Sequence, residues 1–102
     1  MTKRVGKPAR VSEVLGGYLK RAGIAERVAQ AGVLAEWPEL VGERIAKATQ
    51  ALEIRQDGVL VVRVVSSAWA QELSLMSHQV IARLNAGRKS GRVSGIHWVV
   101  AR

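Results

Sequence analysis

The sequence predicts an α+β domain, a three-stranded mixed sheet covered by helices on one face. Three observations predict it. Leu60, Val62 and Val64 alternate at period two, which places them on one face of a strand. Ser66 and Ser67 follow as caps for a helix N-terminus, and Trp69, Leu73, Met76, Val80 and Leu84 then recur at steps of four, three, four and four, one helical stripe. Ile96, Trp98 and Val100 alternate again near the C-terminal end. Two strands joined by a helix in one sheet lie parallel with a right-handed crossover.

Taken in order, residues 1–9 carry no periodicity and read as a flexible basic arm, leaving 10–102 as a single domain. Val11, Val14, Leu15, Tyr18 and Leu19 form a helical stripe, with Gly23 as its C-terminal stop. Gly16-Gly17 inside that helix costs roughly 2 kcal/mol relative to alanine, which points to close packing against another helix. A second helix keeps Ile24, Val28, Ala31 and Leu34 on one side. Pro38 disfavours helical geometry at Trp37, so this helix should end near Glu36. A third should run from Pro38 to about Thr49, with Leu40, Val41, Ile45 and Ala48 inward.

Residues 51–56 and 59–65 form a hairpin. A three-residue loop, Gln56-Asp57-Gly58 with Gly58 left-handed, pairs Ile54 with Leu60 and Leu52 with Val62. The other face, Glu53, Arg55, Val59, Val61, Arg63 and Val65, is half charged and half valine, a surface open to partial cover by a partner. One long helix follows, then a glycine-rich basic loop over 86–95, then the last strand over 95–100. Strand two is antiparallel to strand one and parallel to strand three.

Size bounds the chain to one domain: 102 residues suffice for a modest core. Cysteine is absent, which excludes disulfides, a cysteine nucleophile and thiolate metal sites and suits a reducing cytoplasm. No apolar run approaches the roughly 20 residues of a membrane span, and the N-terminus lacks a signal-peptide core. The formal net charge is +8. Residues 1–23 carry six cations (Lys3, Arg4, Lys7, Arg10, Lys20, Arg21) against Glu13 alone. Residues 58–102 carry six more against Glu72, around a middle that is slightly acidic. Basic ends of this kind point to a polyanion partner, above all nucleic acid.

Enzyme signatures are missing. His78 lies opposite the apolar stripe of its helix, and His97 sits on a strand without a Cys, a paired acid or a second His at ligand spacing. Glu36, Glu39 and Glu43 are spaced as a solvated helix face near a helix start. Neither phosphate-binding glycine motif of nucleotide enzymes is present, so no cofactor is expected. Trp37, Trp69 and Trp98 all fall on core-facing stripes, not in the exposed sheet context of an RNA-stacking platform. The loop Gly87-Arg88-Lys89-Ser90-Gly91-Arg92 sets three cations among glycines whose amides can approach phosphates.

The segment Trp37-Pro38-Glu39-Leu40-Val41-Gly42, followed by a hairpin and then Ser66-Ser67-Ala68-Trp69-Ala70-Gln71-Glu72-Leu73, resembles the DciA family of bacterial proteins. The resemblance runs from about Val11 to Val100. The element order α-α-β-β-α-β is also similar to that of K-homology (KH) domains of the second type. The resemblance implies a KH-like fold and a protein that helps load the replicative DnaB-type helicase onto DNA without ATPase activity of its own. Trp37, Val41, Gly42, Leu60, Trp69, Glu72 and Leu73 match the family pattern and read mainly as fold-determining. The expected partners are the helicase and DNA, single- or double-stranded, bound mostly without regard to sequence. Lys3, Arg4, Lys7, Arg10, Lys20, Arg21, Arg88, Lys89 and Arg92 are the expected contacts, in a cytoplasmic, nucleoid-associated protein. The alternative is an RNA-binding KH-like module of translation or RNA decay, against which stands the absence of a G-x-x-G loop.

Overall fold

Trp37 is 2% exposed and sits inside one unbroken helix, α1 (Gly6–Val41), of 36 residues. The computed structural model describes residues 6–101, with side-chain surroundings from residue 15 onward except at residue 19. The expected stop at Gly23 and bend before Pro38 are therefore corrected. Val33, Trp37 and Val41, at steps of four, are 0%, 2% and 4% exposed, and only a continuous helix puts all three on one face. A proline inside a helix costs about 3 kcal/mol. Burial of a large apolar side chain returns about 1.5–3 kcal/mol each, so the three together prevail. Pro38 itself stays on the exposed side, within the last turn. Ile24 and Val28, read on one helical stripe with Ala31 and Leu34, are 54% and 67% exposed. Close packing at Gly16-Gly17 is corrected too: a Cβ added at Gly16 would meet nothing within 4 Å, and one at Gly17 only Arg21 of the same helix.

The chain breaks instead at Gly42, whose φ of 91° lies in the left-handed region. A short helix, α2 (Glu43–Ala48), leads into β1 (Thr49–Ile54). Here the Trp37 indole N–H donates to Thr49 Oγ1 at 2.9 Å, and that hydroxyl donates to the Ile45 carbonyl at 2.7 Å. The bulky ring thus buries its body and satisfies its polar tip at once.

β1 and β2 (Val59–Val64) form the antiparallel hairpin. Gly58 is left-handed at φ 88°, Arg55 N–H donates to the Val59 carbonyl, and Ile54 pairs with Leu60 as expected. The register then shifts between Ala51 and Glu53, so Ala51 and not Leu52 pairs with Val62. Leu52 is left 45% exposed by this bulge. Such bulges are common on edge strands, where they disturb pairing with another chain.

The expected long helix is two helices, α3 (Ser67–Leu75) and α4 (Ser77–Asn85), broken at Met76. Six-residue strands span about 20 Å, whereas a straight helix over 67–85 would run about 28 Å. The break lets both pieces lie over the sheet: Leu73, Val80 and Leu84 are all 4% exposed or less. Ser66 Oγ accepts from Trp69 N–H and caps α3. Ser77, at the break, accepts from the Trp98 indole at 2.9 Å and ties the helices to β3 (Gly95–Val100).

The sheet order is β1-β2-β3, with β2 and β3 parallel. Leu60, Val62 and Val64, each fully buried, face the helices together with Val33, Trp37, Leu73 and Leu84. This is the KH-like α+β arrangement. The molecule measures 68 × 27 × 20 Å, because the N-terminal half of α1 extends beyond the sheet.

Candidate nucleic-acid interface

The expected contacts separate into three groups. Lys3 and Arg4 lie outside the described residues, as do the surroundings of the Lys7 and Arg10 side chains, although α1 already begins at Gly6. Lys20 and Arg21 stand exposed on the extended half of α1, and Arg27, not anticipated, stands exposed one to two turns further on. None of these three has an ion-pair partner among the described residues.

The third group, the loop over 86–94, is bound to its own fold. Arg88 donates to Glu36 on α1 at 2.8 Å and to the Leu84 carbonyl at 2.9 Å. Arg92 donates to the Arg88 carbonyl at 2.8 Å. Gly91 is buried with φ 67°, its N–H donates to Glu26 at 3.0 Å, and a Cβ there would lie 2.8 Å from Ala29. Asn85 grips both backbone groups of Val93, donating to its carbonyl at 2.8 Å and accepting from its N–H at 2.7 Å. Gly91, expected to serve phosphate approach, is instead used for close approach to α1, whereas a Cβ at Gly87 would meet nothing within 4 Å. Lys89 alone of the three cations reaches solvent without a described partner.

The family-pattern residues divide in a similar way. Trp37, Val41, Leu60 and Leu73 are core. Trp69 is half-buried, with the Arg44 guanidinium 5.7 Å above its ring, and Glu72 is exposed beside it in a shallow groove. With Arg44 over its face, the Trp69 ring packs against the core and a cation. Among the described residues no group of three His, Asp or Glu side chains could hold a metal ion, and no helix is long and apolar enough to cross a membrane.

Helices on one face of a mixed three-stranded sheet, with exposed cations on the longest helix that have no ion-pair partner among the described residues, define a small basic KH-like domain. The chain belongs to the family described as Dna[CI] antecedent, DciA, whose match covers residues 10–97. Among its relatives, a UPF0232 protein of Mycolicibacterium paratuberculosis is 34% identical over 95 residues, 89% of this chain and 52% of that protein. Another from Rhodococcus jostii is 35% identical over 77 residues, 76% of this chain and 40% of its own. A third, from Streptomyces avermitilis, is 34% identical over 87 residues, 84% and 48% of the two chains. The chain thus spans about half the length of the curated relatives it matches. Membership supports a role associated with DNA replication and does not favour the RNA module.

Proposed function

We propose that this domain binds DNA through its basic surface and helps load a replicative DnaB-type helicase, supplying contacts and no ATP hydrolysis. The observation that carries the reading is the DciA family match across residues 10–97. The net charge of +8 and the exposed Lys20, Arg21 and Arg27 on an extended helix support the DNA half of it. Phosphate contacts made by such side chains position a protein without reading bases, so binding is largely independent of sequence. The arm cations Lys3, Arg4, Lys7 and Arg10 add four charges N-terminal to these in sequence, and Lys89 adds a contact from the loop. Arg88 and Arg92 contribute mainly by holding the loop in place.

The deciding experiment is a loading assay: DnaB-type helicase, single-stranded DNA and ATP, with and without this protein. Faster unwinding in its presence is the expected outcome, and no stimulation at any ratio sinks the loading role.

A further inference from the structure

The face of the sheet turned away from the helices carries Arg55 just past the end of β1, Val59, Val61 and Arg63 on β2, and His97 and Val99 on β3. Arg55 crosses the central strand: its Nη2 lies 3.4 Å from His97 Nδ1, two strands away. A guanidinium has no acceptor, so Nδ1 is the accepting nitrogen and Nε2 carries the ring's proton as a free donor. The crossing side chain, with the cross-strand neighbours Glu53 and His97, leaves Val61 only 6% exposed although no helix covers it.

We infer that this uncovered face is a second nucleic-acid contact, holding the phosphate backbone of a strand across Arg55, His97 and Arg63. The inference rests on the DNA-binding reading above. Charge complementarity selects the occupant. Two guanidinium groups and an imidazole donor stand against Glu53 alone, and Arg63 is exposed with no ion-pair partner among the described residues. An apolar helix would find little to bury, because Val61 is closed off, Val59 is already half-buried and Val99 is 37% exposed.

The spacing also suits a polyanion. The Arg55 guanidinium and His97 meet level with Val61, and Arg63 stands two residues on, about 7 Å along the strands at their usual rise. Phosphates at about 3.4 Å of axial rise place roughly two nucleotides along that path. Arg27 on α1 and Arg55 line one groove between α1 and β1, so the track continues from the sheet onto the exposed cations of the long helix.

The test is fluorescence anisotropy of a labelled 20-nucleotide oligothymidylate across a salt series, on wild type, R63E, R55E/R63E and Q71E/S74E. The last variant changes charge by the same amount as R63E on the exposed side of α3, away from this face. Each lost contact should flatten the plot of log affinity against log salt by about 0.7 units on a single strand, about 1.4 units for the pair. Q71E/S74E should keep the wild-type slope. Wild-type slopes in R63E and R55E/R63E, or an equal loss in Q71E/S74E, overturn the inference while leaving DNA binding itself intact. Failure of the wild type to bind at any salt overturns the DNA reading and this inference with it. Where R55E lowers the melting temperature, R63E alone decides, since its side chain touches no partner that the fold uses.

Discussion

Trp37 is the residue on which most of the packing turns. It fills the core between α1 and the sheet, and its ring lies 6.3 Å from that of Trp98, tilted by 58°. Trp37→Ala should cost about 3–5 kcal/mol in urea unfolding. Thr49→Val should cost about 1–3 kcal/mol, because it strands the buried indole N–H. Trp69, which sequence reasoning treats as an equal core residue, is only half-buried. Trp69→Ala should therefore cost less, about 2–3 kcal/mol from lost burial and the lost cation–π contact. Gly91→Ala acts differently: its Cβ has no room against Ala29, and overpacking of this kind costs about 1–3 kcal/mol. A lower melting temperature in Gly91→Ala, with unchanged near-ultraviolet signal from Trp37, would locate the damage at the loop.

Among elements, α1 is both the longest and the least economical in its sequence. Four glycines lie inside it, and a Cβ at Gly16, Gly23 or Gly32 would meet nothing within 4 Å. Gly32→Ala should stabilise the domain by about 0.5–1 kcal/mol, read as a higher melting temperature, since the helix conformation is retained and the unfolded chain loses freedom. The loop over 86–94 is the clasp that holds this helix down. Glu36 is half-exposed in its pair with Arg88, so that bond is worth under about 1 kcal/mol. Glu26 and Gly91 add a second attachment, ten residues and so about 15 Å along the helix from Glu36. Glu26→Gln/Glu36→Gln should raise hydrogen exchange at Gly91 while barely moving the global stability.

For the molecule as a whole, the helical extension is where folding and binding separate. Leu15, Tyr18 and Ile24 are each more than half exposed, so that segment adds little to the core. A chain beginning at residue 24 should melt within a few degrees of the full chain and lose the six cations Lys3, Arg4, Lys7, Arg10, Lys20 and Arg21. On duplex DNA, about five neutralised phosphates give a slope of log affinity against log salt near −4 to −5 for the full chain. Truncation should flatten it by roughly two to four units. An unchanged slope would move the DNA wholly onto the sheet face and the loop.

What the sequence alone determined is the part governed by local periodicity and turn chemistry. The alternation of Leu60, Val62 and Val64, the left-handed Gly58 at the hairpin, the Ser66 cap and the strand over 95–100 are all present as read. So are the mixed sheet and the family, the latter through the spacing around Trp37 and Trp69. The tertiary structure decided what depends on competition between distant groups. Burial of Val33, Trp37 and Val41 outweighs Pro38, although their spacing of four was visible in the sequence beside the misleading stripe of Ile24 and Val28. The sheet's short span divides the last helical stripe at Met76, and the edge bulge turns Leu52 outward. The same competition ties two cations of the glycine-rich loop to the fold: Arg88 reaches Glu36 and the Leu84 carbonyl, and Arg92 the Arg88 carbonyl. Arg55 and His97, 42 residues apart and unremarkable in sequence, meet only because β1, β2 and β3 lie side by side.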